Sequence, residues 1–270
     1  ATAFISMWVS NTASTIMMLP IAVSVITIFS NQPNIRNENF AIPLLLAIAY
    51  SASIGGASTL IGTPTNIMLS SILSDSYNYE ISFLDWLLIG LPVAIFLLPT
   101  VWFFLTNISF NVSKKKSNAL ERTIQEMRGE IGSPSFTEKI VATVFFLTAT
   151  FWVLRRSLNE IFNLNLNDTS IGLLGALLLF LIPTSKTTRA CNWETANKIP
   201  WGILLLVGGG IALSKAFNSS GLAIWIGEFS NYFYGYNIYL LIFIAVALII
   251  YLTELNSNTA TVATFMPILI

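Results

Sequence analysis

The polar sequence SNTAS, residues 10–14, lies inside an otherwise apolar stretch over residues 1–29. It recurs as SNTAT at residues 257–261, again between apolar flanks, and a proline follows each copy, Pro20 and Pro267. Backbone polar groups cannot stay unpaired in hydrocarbon, so an interrupted helix at membrane depth survives only where protein or an aqueous cavity satisfies it. The repeated cluster therefore predicts two interrupted membrane helices, each a candidate binding site.

The composition around these clusters is that of a membrane protein. Hydrophobic residues make up 54% of the chain and charged residues only 10%, with a mean hydropathy of +0.73, whereas about a quarter of a soluble domain is charged. A helix needs about 20 apolar residues to cross a bilayer. Apolar blocks of spanning or near-spanning length cover residues 1–29, 41–54 with 67–73, 86–110, 137–154, 168–183, 201–217 and 237–252. This pattern predicts an all-α polytopic membrane protein.

The scarcity of histidine and cysteine excludes many classes of enzyme. The chain has no histidine and a single cysteine, Cys191, which excludes an intramolecular disulfide framework, the usual zinc sites and histidine-based catalysis. The acidic residues are scattered singly, and the net charge of zero gives no case for nucleic acid. We therefore expect neither an enzyme nor an organic cofactor. A membrane-embedded enzyme and a purely structural membrane subunit are the alternatives from other classes.

The thirteen lysine and arginine residues indicate the orientation in the membrane. Cytoplasmic loops carry an excess of these residues, and ten of them lie in the segments 30–40, 110–139 and 184–200. The other three are Arg155, Arg156 and Lys215. We therefore expect these three segments to be cytoplasmic.

The orientation predicts an inverted repeat with two re-entrant hairpins. Because block 1–29 precedes a cytoplasmic loop and is broken in its middle, it is expected to return to the side from which it entered, with the first cluster at its tip. Five blocks, 41–73, 86–110, 137–154, 168–183 and 201–217, count as crossings between the two hairpins, and an odd number of crossings inverts the halves. The predicted parts are residues 1–110 (first repeat), 111–136 (a cytoplasmic segment) and 137–270 (second repeat). The chain is expected to be a fragment that ends inside the second hairpin.

The cytoplasmic segment 111–136 contains apolar residues at near-helical spacing. They are Leu120, Ile124, Met127 and Ile131, and charged residues separate them. This pattern predicts an amphipathic helix lying at the membrane interface. A solvated loop helix is the alternative.

A third polar cluster, GGASTLIGTPTN at residues 55–66, interrupts the block 41–73. Its glycines and its proline break the helix, while its hydroxyl and amide side chains supply oxygens. At such a break, freed carbonyls and side-chain oxygens can hold Na⁺, and the helix N-terminus beyond it can receive an anion. The ordinary alternative is that the polar side chains cap helices or form hydrogen bonds between them.

These motifs resemble the divalent anion:sodium symporter (DASS) family. The resemblance rests on SNTAS with a later LP, on SASIGG and TLIGTPTN, on VGGGIAL, and on LTEL followed by SNTAT and a proline, and it covers nearly the whole chain. It implies an elevator-type transporter of dicarboxylates, citrate or sulfate, usually a homodimer, that spans the cell membrane several times. It also implies two re-entrant hairpins with an SNT motif at each tip.

The resemblance also implies site residues. A first sodium site would use Ser6, Ser10, Asn11 and the backbone around Gly56. A second would use Thr253, the backbone of Asn256, and Asn258. The substrate carboxylates would meet Asn11, Thr12, Asn258 and Thr259, with help from Ser58 and Thr59. The chain departs from many family members at Ala57, where a hydroxyl usually follows the two glycines.

The charges near the clusters favour sodium coupling. A divalent anion in the membrane needs positive charge, and no lysine or arginine lies within six residues of either SNT motif or of the 55–66 break. Bound Na⁺ would supply that charge. We therefore expect sodium symport of a divalent anion, most simply a C4 dicarboxylate such as succinate or malate. A sodium-independent anion exchanger and a Na⁺/H⁺ antiporter that uses Glu254 are the alternatives.

Overall fold

The structure is a computed structural model that describes residues 1–30, 40–110, 112, 133–185, 188–199, 201–222, 225, 228 and 236–269. Within these ranges the chain is helical, and the only β pairing is an isolated bridge between Pro183 and Arg189. The α-helices are α1 (Thr2–Ser6), α2 (Asn11–Ser30), α3 (Ala41–Ala57), α4 (Pro64–Tyr77), α5 (Phe83–Phe103), α6 (Phe136–Phe162), α7 (Asp168–Leu181), α8 (Trp193–Ala196), α9 (Gly202–Ser219), α10 (Ile238–Leu255) and α11 (Asn258–Leu269). A π-helical segment, Phe104–Ser109, continues α5.

Among the described residues, three helical segments are long and apolar enough to cross a membrane. They are Phe83–Ser109, Phe136–Phe162 and Ile238–Leu255, and they confirm the predicted blocks 86–110, 137–154 and 237–252. The second is longer than predicted, because the block was ended before Arg155 and Arg156. The helix continues through both arginines, whose charges are paired with aspartates.

The chain divides into two compact units. Unit 1 comprises Ala1–Thr59 and Ser82–Ile199, and unit 2 comprises Leu60–Ile81 and Pro200–Ile270. In unit 1, α1 and α2 pack on α3, α3 packs on α5, and α6 packs on α7. In unit 2, α4, α9 and α11 pack on one another, and α10 contacts α11.

Ion pairs fix the beginning of α5 in unit 1. Ser82 and Asp85 form a capping box at this helix start, and Arg156 Nη2 of α6 lies 2.8 Å from Asp85 Oδ2. The Phe83 N–H donates to Asp168 Oδ2 at 2.7 Å. Asp168 is the first residue of α7 and also pairs with an arginine of α6. The first turn of α5 is therefore tied to both α6 and α7.

In unit 2, α9 packs through one of its three consecutive glycines. A Cβ atom added to Gly210 would lie 3.1 Å from Met68 Sδ and 3.4 Å from Ala263 Cβ, whereas one added to Gly208 or Gly209 would have nothing within 4 Å. Gly210 therefore allows α4 and α11 to approach α9 closely, as small residues do between membrane helices.

An ion pair also links α9 to α4 in unit 2. Lys215 Nζ lies 3.1 Å from Asp75 Oδ2, and both side chains are partly exposed. The sequence predicts Lys215 only as a base outside the cytoplasmic segments, and the structure gives it an acidic partner.

The predicted amphipathic helix lies outside the described residues. Of segment 111–136, only residues 112 and 133–136 are described, and α6 already begins at Phe136. The interfacial position of Leu120, Ile124, Met127 and Ile131 therefore stays a prediction.

Candidate functional site

The first SNT motif lies at a helix break, as predicted. The short helix α1 ends at Ser6 and α2 begins at Asn11. The Ser10 hydroxyl accepts a hydrogen bond from the Ala13 N–H at 3.4 Å, which is the geometry of an N-cap. Ser10 therefore stops one helix from running into the next, and Asn11 and Thr12 become the first two residues of α2.

The second SNT motif repeats this arrangement in unit 2. Helix α10 ends at Leu255, Asn256 is extended (φ −126°, ψ 167°), and α11 begins at Asn258. The Ser257 hydroxyl accepts from the Ala260 N–H at 3.2 Å. Both motifs thus place serine at the N-cap and Asn-Thr in the first turn.

Residues on either side of the two motifs also correspond when the motifs are aligned with each other. It pairs Ser6 with Thr253 and Ser14 with Thr261. Ser14 and Thr261 are 0% and 1% exposed, so a buried hydroxyl follows each motif one turn into the helix. This is the local similarity that an internal structural repeat produces.

The carboxamide of Asn11 meets a buried hydroxyl in unit 1. The Ser6 hydroxyl is fully buried and lies 2.9 Å from Asn11 Oδ1 and 2.7 Å from the carbonyl oxygen of Ala52 in α3. A Cβ atom added to Gly56 would overlap Asn11 Oδ1. Only glycine at this position lets the carboxamide lie against α3, so the structure brings together Ser6, Asn11 and Gly56 of the predicted first sodium site.

Helix α1 approaches α3 closely at the neighbouring glycine as well. A Cβ atom added to Gly55 would overlap the backbone of Ala3. The two glycines that sequence reasoning assigned to a helix break are therefore still helical, in the last turn of α3. They serve as contact points for α1 and Asn11, and the break follows them.

Ser58 and Thr59 lie in that break and are 1% and 0% exposed. Ser58 Oγ donates to the carbonyl oxygen of Gly55 at 2.5 Å, and Thr59 Oγ1 donates to that of Met7, in the break between α1 and α2. Both hydroxyl protons are thus used in hydrogen bonds to backbone carbonyls, which stabilise this conformation of the break. An anion would need those protons, whereas a cation could still use the oxygen lone pairs.

The remainder of the third cluster starts α4 in unit 2. Thr63 is extended (φ −145°, ψ 145°), Pro64 is the first helical residue, and the Asn66 N–H donates to Thr63 O at 3.2 Å. Proline suits this position because its missing N–H would have no helical partner. The predicted interruption of block 41–73 is therefore confirmed, between Ala57 and Pro64.

The residues predicted for the second sodium site flank the second break. The Thr253 hydroxyl donates to the carbonyl oxygen of Ile250 at 2.8 Å. The side chains of Asn256 and Asn258 are exposed, and Thr259 is partly exposed. These residues belong to unit 2, whereas Ser6, Asn11 and Gly56 belong to unit 1.

Thr261 was not among the predicted site residues. Its Oγ1 atom is buried and has no hydrogen-bond partner among the described residues. Burying an unpaired hydroxyl costs about 1–3 kcal/mol. The sequence did contain a signal for this residue: the fifth position of SNTAS and of SNTAT is a hydroxyl residue in both motifs.

The donor atoms of the first cluster are neutral oxygens. Among the described residues, no three His, Cys, Asp or Glu side chains are grouped in a way that could hold a metal ion. A cation at this cluster would be held by Ser6 Oγ, Asn11 Oδ1 and nearby carbonyls. That set suits a hard monovalent cation such as Na⁺, which broken membrane helices bind through carbonyl and side-chain oxygens, and lacks the imidazole or thiolate ligands typical of zinc.

Comparison with known proteins identifies relatives over the full chain. A family model described as "Citrate transporter" matches residues 1–270. The sodium-dependent dicarboxylate transporter SdcS of Staphylococcus saprophyticus is 37% identical over 279 residues, which cover 100% of this chain and 54% of the relative. SdcS of Staphylococcus aureus strain USA300 is also 37% identical, over 281 residues with the same coverage. The chain spans about half the length of the curated relatives it matches.

Proposed function

The chain belongs to the citrate transporter family, and from this membership we propose that it is part of a sodium-coupled symporter of dicarboxylates. The resemblance to the DASS family is confirmed by the family match and by the relatives. Membership makes the chain part of a transporter rather than of an enzyme, and it is a multi-pass protein of the cell membrane.

The observation that carries the proposal is the neutral, oxygen-lined first cluster. The Ser6 hydroxyl, the Asn11 carboxamide and the backbone at Gly56 meet at the start of a helix. Oxygens of this kind can replace the water around Na⁺ without cancelling its charge. The adjacent helix N-terminus carries a partial positive charge and presents N–H groups, to which carboxylates bind.

The proposal of sodium coupling rests on the basic side chains, because three of them are already paired with acidic residues and cannot also neutralise an anion. Arg155, Arg156 and Lys215 each pair with an aspartate, and no basic residue lies within six residues of the polar clusters. A bound dicarboxylate therefore depends on Na⁺ for compensation of its charge. By reciprocal linkage, Na⁺ should raise the affinity for the anion as much as the anion raises the affinity for Na⁺.

We infer a C4 dicarboxylate such as succinate or malate as the substrate. The names of the relatives specify dicarboxylates, which favours two carboxylates over the three of citrate. We further propose that the two SNT breaks are tips of re-entrant hairpins in an inverted repeat. The complete transporter would work by an elevator mechanism as a homodimer in the lipid bilayer. The matched caps at Ser10 and Ser257 support the repeat.

The test is succinate uptake into proteoliposomes that contain the full-length protein, with a Na⁺ gradient and with choline in place of Na⁺. We expect uptake only with Na⁺, and its loss in both Asn11→Ala and Asn258→Ala. The matched control is Asn167→Ala, because Asn167 is also at a helix start, where it caps α7. Uptake that is unchanged in choline would refute symport and favour sodium-independent exchange.

A further inference from the structure

The loop between α3 and α4 is held by a helix that sequence reasoning did not connect with the site. The indole Nε1 of Trp86 in α5 donates a hydrogen bond to the carbonyl oxygen of Ala57 at 2.9 Å. Ala57 is the last residue of α3 and directly precedes Ser58 and Thr59. The bond satisfies a carbonyl at the helix C-terminus, which has no partner within the helix.

A second contact from the same face of α5 reaches the next residue of the loop. A Cβ atom added to Gly90 would lie 2.6 Å from the carbonyl oxygen of Ser58 and 2.9 Å from its Cα. Trp86 and Gly90 are four residues apart, so they lie on one side of the helix. The absence of a side chain at Gly90 therefore lets the α5 backbone lie directly on Ser58, while Trp86 anchors Ala57.

The far side of the loop contacts the first SNT break. Thr59 donates to the Met7 carbonyl oxygen, and Gly56 lies against the carboxamide of Asn11. The loop Ala57–Thr59 is thus fixed between α5 on one side and the α1–α2 break on the other. A displacement of the loop away from α5 would move the oxygens around Asn11.

The N-terminus of α5 is itself fixed in place. Asp85 precedes Trp86 in the sequence and binds both Ser82 and Arg156, and the Phe83 N–H binds Asp168. The indole of Trp86 therefore extends from a turn that is anchored to α6 and α7. An anchored donor can position the loop more precisely than a donor on a free helix end.

We propose that Trp86 and Gly90 are positioning residues, which hold the Ala57–Thr59 loop and thereby set the Na⁺ affinity of the first cluster. This inference rests on the proposed function, since it assigns the cluster to Na⁺. Neither residue belongs to the oxygen set of the first cluster. Their effect passes through the backbone of Ala57 and Ser58 to Gly56 and Asn11.

The decisive substitution is Trp86→Phe, which keeps an aromatic ring and removes the N–H donor. The matched control is Trp102→Phe, because Trp102 is on the same helix and is 62% exposed. Loss of one hydrogen bond should raise the Na⁺ concentration for half-maximal succinate uptake about fivefold in the full-length protein. The maximal rate at saturating Na⁺ should be retained, and Trp102→Phe should change neither value.

A second readout tests the loop without relying on transport. In a full-length protein whose native cysteines, Cys191 among them, have been replaced by serine, a Ser58→Cys substitution places a single thiol in the loop, where Ser58 is 1% exposed. Labelling by a small thiol reagent should be slow, and it should be several times faster when Trp86→Phe is added but not when Trp102→Phe is added. Gly90→Ala should accelerate labelling further, and Trp86→Phe decides the question if Gly90→Ala does not fold.

The two readouts separate the possible failures. Equal labelling rates in Trp86→Phe and Trp102→Phe would overturn the inference, whatever the protein transports. Equal Na⁺ half-saturation in the two variants would also overturn it. Uptake by the unsubstituted protein that does not depend on Na⁺ would instead refute the proposed function, while faster labelling in Trp86→Phe would still show that Trp86 holds the loop.

Discussion

Replacing Gly56 with alanine should lower both the Na⁺ affinity and the stability of the protein. A glycine-to-alanine change inside a helix ordinarily stabilises it by up to about 1 kcal/mol. At Gly56 the added Cβ would occupy the position of Asn11 Oδ1, and overpacking of this kind costs about 1–3 kcal/mol. The carboxamide can escape only by moving away from α3 and from the Ser6 hydroxyl that it now contacts.

The displacement of Asn11 determines the size of the effect on binding. Each 1.4 kcal/mol is a tenfold change in an equilibrium constant. Because Na⁺ binding would require the carboxamide to return to its position against α3, a cost of about 1–3 kcal/mol raises the Na⁺ half-saturation by roughly fivefold to 150-fold. The assay is Na⁺-dependent succinate uptake, together with thermal unfolding of the purified protein with and without Na⁺. The stabilisation that Na⁺ gives should shrink in parallel, because only ion bound to the folded state contributes to it.

The matched control for Gly56→Ala is Gly208→Ala. A Cβ atom added to Gly208 has nothing within 4 Å, so this variant should be as stable as the unsubstituted protein or more stable, with the same Na⁺ affinity. If Gly56→Ala shows the stability and the Na⁺ half-saturation of Gly208→Ala, the contact between Asn11 and α3 does not position the cluster.

Four further outcomes are expected in the full-length protein. Ser257→Ala should lower stability by about 1 kcal/mol through loss of the α11 cap, and an unchanged melting temperature would contradict the cap. Thr261→Val should raise the melting temperature, because it replaces a buried hydroxyl that has no partner among the described residues with a methyl group of similar size; a fall would indicate a bound ligand. A double-mutant cycle of Lys215→Met and Asp75→Asn should give a coupling below about 1 kcal/mol that decreases with salt, since both groups are partly exposed. Glu254→Gln should leave Na⁺-driven uptake in place, and its abolition would favour the antiporter alternative.

The helix breaks could be predicted because their signals are local. A serine followed by Asn-Thr inside an apolar block is an N-cap signal, and α2 and α11 begin directly after Ser10 and Ser257. The interruption of block 41–73 likewise follows from Gly62 and from Pro64, which starts α4, whereas Gly55 and Gly56 remain helical in α3. In each case the residues that end or begin the helix adjoin the break itself.

The contacts between helices could not be predicted, because their partners are far apart in the sequence. Nothing in the periodicity of α5 pairs Trp86 with Ala57, and nothing near Arg156 indicates Asp85 as its partner. For the same reason, the predicted block 137–154 is shorter than the observed helix α6. Two adjacent arginines predict the end of a membrane helix when their charges are taken as unpaired, whereas paired charges can be accommodated in a longer helix.

Helix capping and the proposed ligand binding are complementary roles of the SNT motif. Each helix starts with four N–H groups that have no partner within the helix, and the serine oxygen takes the last of them, from Ala13 in α2 and from Ala260 in α11. The N–H groups of the Asn-Thr pair come before that position, so the cap does not use them and the proposed ligand would meet them. Because serine secures the helix start, the asparagine side chain is free to make tertiary contacts, as Asn11 does with Ser6. Removal of serine should therefore be detected chiefly as lost stability, and removal of asparagine as lost transport.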